Sequence, residues 1–253
     1  VLPMILHLAR DLGFLLRMAS YAAAGAVAYA VYLTNSRGSV LALGAMLFMY
    51  GILRYGVMKS VIVLPMLFAP LIALGPSRMA DMSADEDSAE GRIEAWYEGV
   101  QLLIWRPLFG VGKGLFADHH GLTAHNSFVL SLAELGFVGL VLFVAMLYLS
   151  IKSLLQGLIV LRDVPGSEVA QVWGMALLGS FCATSFSIST LSFSYKAVLW
   201  ILFALVGAWT GSIRHHKPDF VVKLSWRDFL IIVVACLAFS TVVLRLFLKF
   251  KGV

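Results

Sequence analysis

The sequence predicts an all-α polytopic membrane protein with about seven transmembrane helices, and three observations carry that class. Of the 253 residues, 60% are hydrophobic and 13% charged, against roughly 45–50% and 25% in a soluble domain. Apolar runs close to the ~20 residues needed to cross a hydrocarbon core recur along the chain. Lys and Arg cluster in short connections that fall on one side if the spans alternate.

Spans are expected at about 18–34, 39–57, 60–75, 127–150, 172–189, 194–210 and 229–248. The whole chain, 1–253, reads as one transmembrane domain, with 76–126 as a long external loop carrying the informative chemistry. Arg10 and Arg17 precede the first span, and Arg54 and Lys59 follow the second. Lys152 and Arg162 follow the fourth, and Arg214, Lys217, Lys223 and Arg227 precede the last. These places define the cytoplasmic side, with Lys249 and Lys251 dissenting. The loop at 34–38 and the segment 76–126 then face outwards. The net charge of +5 belongs to this topology rather than to nucleic acid, since no basic stripe with interleaved aromatics is present. Cys182 and Cys236 both fall inside spans, so no disulfide framework is implied.

Within the external segment, "DMSADEDSAE" is expected to be a solvated loop, with Ser88 able to cap a helix whose first turn holds Glu90. Ile93, Trp96, Val100 and Leu103 recur at helical spacing, while Arg92, Glu94, Glu98 and Gln101 take the other faces. That pattern predicts an amphipathic helix at the membrane surface, stopped by Pro107. "FGVGKGLF" places Gly110, Gly112 and Gly114 at alternate positions. Pro107 and Gly114 stand where a Walker motif needs glycine and a hydroxyl residue, which excludes one. A permissive turn and a backbone nest for an anion both remain open.

Asp118, His119, His120 and His125 could each ligate zinc, but their spacing fits no standard zinc pattern. Asp85 and Asp87 form an acidic pair inside a generally acidic run, so no metal is expected. His125 stands just before the fourth span, which Asn126 or Ser127 can cap, and orphan helix amides there welcome an anion. Eight residues beyond Asn126 stands Glu134, deeper in the same span. It should face protein or a wet cavity rather than lipid, as a structural clamp or a cavity-lining group. Gly136 and Gly139 permit close helix approach. Arg37 lies in a connection so short that it must sit near the membrane surface, on the same side as Arg92 and His125.

Three patterns in this order, "TNSRGS", "GRIEAW" followed by "PLFGVGKGLF", and "AHNSFVLSLAELGFVG", resemble the C-terminal part of the O-antigen ligase and O-antigen polymerase superfamily. The likeness is good over 33–142. Such proteins usually carry further spans before this region, so a preceding half is expected to be missing here, and their fold resembles that of GT-C glycosyltransferases. The resemblance implies transfer of a glycan from an undecaprenyl-diphosphate carrier to a sugar hydroxyl, without cofactor or metal. It implies a bacterial inner-membrane setting with the site facing the periplasm. The acceptor would be lipid A core in a ligase and another carrier-linked glycan in a polymerase. Arg37 and Arg92 would hold the diphosphate, with Asn126 beside it, and His125 would take the hydroxyl proton. A lipid-linked glycan flippase or transporter is the non-enzymatic reading. It predicts charged or broken helices along a transmembrane path, for which Glu134 is the one mid-span acid.

Overall fold

The computed structural model describes residues 2–9, 12–34, 37–62, 66 and 82–250. The described elements are all helical: α1 (Leu2–Leu8), α2 (Phe14–Leu33), α3 (Arg37–Tyr55), α4 (Met82–Trp105), α5 (Phe116–His120), α6 (Ser127–Leu161), α7 (Glu168–Thr190), α8 (Ala197–Ile213) and α9 (Trp226–Phe250). Among the described residues, three helices are long and apolar enough to cross a membrane, in α2 over Phe14–Val31, in α6 and in α7, and shorter apolar helices cover Leu41–Leu53 and α8. Six of the seven expected spans therefore coincide with helices. The third, 60–75, lies mostly outside the described residues.

The chain divides into two compact units, one of residues 1–81, 150–187 and 201–221, the other of 82–149, 188–200 and 222–253. In the first unit, the end of α6 and the start of α7 are tied through one serine. Ser167 Oγ donates to the carbonyls of Leu161 and Val164, and Gln171 Nε2 donates to Leu161 O at 2.8 Å. Orphan carbonyls at the C-terminus of α6 are thereby satisfied. Trp209 of α8 is 6% exposed, and its indole donates to Ala170 O at 2.8 Å. The ring lies where a Cβ on Gly157 or Gly174 would stand, so the two glycines form the notch that receives it.

The second unit is built on α4. Its acidic run is helical from Met82, so the expected solvated loop is a helix and Ser88 lies inside it rather than at its cap. The physical reason is that Ala and Glu are good helix formers and that acidic groups near an N-terminus are favoured by the macrodipole. The apolar face expected on this helix is present, and protein covers it. Ala95 and Leu102 pack with Phe116, Ala124, Val129, Leu130 and Ala133, and Leu103 packs with Leu132, Leu140, Ile232 and Cys236. At α9, Ser225 Oγ accepts from Asp228 N while Asp228 Oδ2 accepts from Ser225 N, a reciprocal cap. Tyr148 Oη donates to Asp228 Oδ1 at 2.6 Å, fastening α6 to α9.

Candidate functional site

On α4, residues 92, 96 and 99 share one face by helical spacing, and each does something different at the start of α6. A Cβ on Gly99 would meet Val129 and Phe116, so the absence of one lets the helices approach. Trp96 Nε1 donates to Ala124 O at 2.9 Å. Arg92, one turn earlier and exposed, brings its charge to the next residue along, His125.

His125 is held by its neighbours on both sides. Ala124 is fully buried with its carbonyl engaged by Trp96, and Asn126 enters the helix. Asn126 Oδ1 accepts from Phe128 N at 2.8 Å and from Val129 N at 3.2 Å, so Asn126 is the cap of α6. The turn between these two anchors sets His125 at φ 49°, a left-handed conformation that no other described non-glycine residue adopts. Such a conformation costs on the order of 1 kcal/mol or more in a residue with a Cβ. Half-buried, the imidazole makes no side-chain hydrogen bond to any described residue. Burial first, and the Arg92 guanidinium second, push its pKa below the ordinary 6.5, so at neutral pH it is an unprotonated base.

A second wall of the site went unrecognised in the sequence. Residues 191–196, expected in part to belong to a span, form a loop before α8. Thr123 Oγ1 donates to Ser192 Oγ at 2.6 Å. Ser127 Oγ donates to Leu191 O and accepts from Phe193 N. Ser194 Oγ donates to Ser127 O at 2.9 Å and lies 3.0 Å from Ser131 Oγ. The row Ser127, Ser131 and Glu134 occupies one buried face of α6, and this loop lines it. The only advance signal was the density of hydroxyls in "STLSFSYK", which ordinary helix packing also produces.

The glycine run is neither a plain turn nor an open anion nest. At Gly136 (φ 68°, ψ −168°) α6 is broken. The break frees the carbonyls of Ala133 and Glu134 and the amides of Phe137 and Val138, which would otherwise bond one another along the helix. The loop supplies all four partners. Val111 N donates to Ala133 O at 3.0 Å and Gly112 N to Glu134 O at 2.9 Å, while Phe137 N donates to Pro107 O at 2.8 Å and Val138 N to Leu108 O at 3.2 Å. A Cβ on Gly110 would collide with the Glu134 carbonyl, and one on Gly136 with the Leu108 carbonyl. The two motifs thus interlock backbone to backbone.

Glu134, 2% exposed, completes the lock: its Oε1 accepts from Phe116 N at 3.1 Å, at the first residue of α5. The loop amides at Val111, Gly112 and Phe116 are thus all taken up by acceptors of the protein itself. The Glu134 Oε2 and the Tyr195 hydroxyl are both buried, and among the described residues neither makes a hydrogen bond within 3.5 Å. Burial, and then neighbouring Glu134, push the Tyr195 phenol above its ordinary range, so it stays protonated.

The other candidate ligands diverge. His119 meets the Trp105 ring edge-on at 5.9 Å and His120 meets Phe116 at 6.1 Å. Among the described residues no group of three His, Cys, Asp or Glu converges. Asp85 and Asp87 lie within α4, their side chains outside the described residues. Beside the interlock runs a groove of about 530 Å³ lined by Trp105, Arg106, Leu108, Phe109, Leu115 and His119, with the Arg106 guanidinium 5.2 Å from the centre of the Trp105 ring. Arg37 is the first residue of α3, in the first unit, and its side chain lies outside the described residues. Of the candidate residues, the structure brings together Arg92, His125 and Asn126, with Asn126 committed through Oδ1 to the cap.

Neither the curated proteins nor the solved structures gave a match to the chain. A family model described as O-antigen ligase matches residues 22–144, a stretch that includes α4, the interlock, His125 and Glu134. Over that stretch, just under half of the chain, the sequence is similar to the O-antigen ligase family.

Proposed function

We propose that the protein transfers a glycan from an undecaprenyl-diphosphate carrier to a sugar hydroxyl at the outer, periplasmic face of a bacterial inner membrane. The observation that carries the reading is the pairing of His125 with Arg92 just outside the capped start of α6. Transfer from a lipid diphosphate has two electrostatic requirements: the leaving diphosphate must be held, and the attacking hydroxyl must lose its proton. A guanidinium holds phosphate through paired N–H groups. An imidazole kept neutral at pH 7 accepts the proton, a contribution of roughly 10²–10⁴-fold. Burial and Arg92 both act on His125 in that direction. Arg37, expected on the same face if the spans read from the sequence alternate, is the second cation of this reading. The apolar groove at Trp105 and Phe109 suits an isoprenoid chain, and the acceptor is lipid A core or a second carrier-linked glycan.

The reading is tested in vesicles containing the protein, the lipid-linked donor and each acceptor in turn. His125→Ala should abolish transfer while leaving donor binding within threefold. Normal transfer by this variant would remove His125 from the reaction. Transfer to lipid A core makes the protein a ligase, and elongation of carrier-linked glycan makes it a polymerase.

A further inference from the structure

The interlock leaves one charged side chain without an assigned role. Lys113 lies between Gly112 and Gly114, on a turn whose neighbouring amides at Val111, Gly112, Leu115 and Phe116 are all engaged within the protein. The turn is therefore fixed, and Lys113 projects from it exposed. Its Nζ stands 5.1 Å from the centre of the Tyr195 ring, within the range of a cation–π contact. Tyr195 is packed against the core around Ala124 and Val129, and its neighbour Ser194 is bonded to Ser127 and Ser131. Ser192 of the same loop is bonded to Thr123, two residues before His125. Ser192 and Tyr195 are three positions apart, at most about 11 Å of chain. Lys113 and His125 thus flank one short, anchored loop.

We propose that Lys113 contacts a phosphate of the lipid-linked donor, and that Tyr195 is its positioning residue. This inference rests on the transfer reading above and adds a cation to it. An ammonium on a flexible stem is costly to fix in place, and the aromatic face limits where it goes. The ammonium is a point charge with rotatable donors, able to adapt to the diphosphate as it binds.

The experiment uses the protein in phosphatidylcholine vesicles, with and without phosphatidylglycerol, and measures undecaprenyl-diphosphate binding separately from transfer. Lys113→Gln should weaken binding and raise the donor KM about tenfold in both membranes, as loss of a hydrogen bond to a charged group does, with kcat within twofold. Lys113→Arg should recover most of the loss. Tyr195→Leu should reproduce the Lys113→Gln change in KM, Tyr195→Phe should not, and the Lys113→Gln, Tyr195→Leu pair should be no worse than either alone. An unchanged KM and affinity in Lys113→Gln overturns the proposal. So does an effect seen only with phosphatidylglycerol, which would make Lys113 an anchor to bilayer headgroups. If the wild type binds the lipid diphosphate but transfers nothing, the transfer reading falls, while weaker binding by Lys113→Gln still supports the contact. If the wild type does not bind it, both fall.

Discussion

The two units each use a pair of glycines for close approach, with opposite physical content. In the first, Gly157 and Gly174 make room for a side chain, the Trp209 indole. In the second, Gly110 and Gly136 make room for backbone, and what arrives is a set of four hydrogen bonds replacing those that the break in α6 removed. A notch for a side chain is adjustable, because the side chain can be changed. A backbone seam is not. The lesson is that the seam is specific and brittle, qualities suited to holding a site, whereas the notch is packing.

Substituting across the two pairs separates them most sharply. Gly136→Ala adds a Cβ that meets the Leu108 backbone at a residue with φ 68°, combining steric overlap with left-handed strain, together about 3 kcal/mol or more. Detergent melting should show loss of the folded protein, and no second-site change of side chain should restore it. Gly174→Ala should cost less, about 1–3 kcal/mol, and Trp209→Phe should recover part of it in the same assay. Equal losses, or rescue of both, would erase the distinction.

His125 gives a smaller and opposite effect. Glycine adopts φ 49° freely, so His125→Gly should leave thermal stability unchanged or raise it by up to about 1 kcal/mol while abolishing transfer. A stability loss would mean that the imidazole is a packing residue. The finest test is pH. Because the folded pKa lies below 6.5, His125 favours folding fully above its ordinary value, and that contribution fades as pH falls through the lowered one. Transfer should fall over the same window as the base is protonated. Arg92→Gln removes the second cause of the shift, so the acid limb of the pH–rate profile should move to higher pH. An unmoved limb would uncouple the two residues.

Much of this organisation was legible in the sequence. Apolar runs located α2, α3, α6, α7, α8 and α9, and the rule for caps offered Asn126 or Ser127 at the head of α6 with His125 just outside it; the structure chooses Asn126. Arg92 was found through its motif, but its nearness to His125 required Trp96 to bind Ala124, a contact across 28 residues that periodicity does not encode. The acidic run was misread because charge suggested solvent, while Ala and Glu propensity carried the helix. The seam was invisible for a different reason. Its bonds join main-chain groups, and "PLFGVGKGLF" and "AELGFVG" advertise only that glycine is wanted, not what approaches it.

The break at Gly136 also acts as a ruler. The 35 residues of α6 span about 52 Å at 1.5 Å each, against a hydrocarbon core of about 30 Å. The portion beyond Gly136 is about 37 Å long, enough by itself to cross such a core. The stub before it, about 13 Å, is surplus to that length. On the proposed transfer reading, reaction height would be a matter of length: the level at which a lipid phosphate meets an outer hydroxyl would be set by how many residues follow the break. Bilayer thickness, through the tilt of the longer rod, becomes a variable of the chemistry.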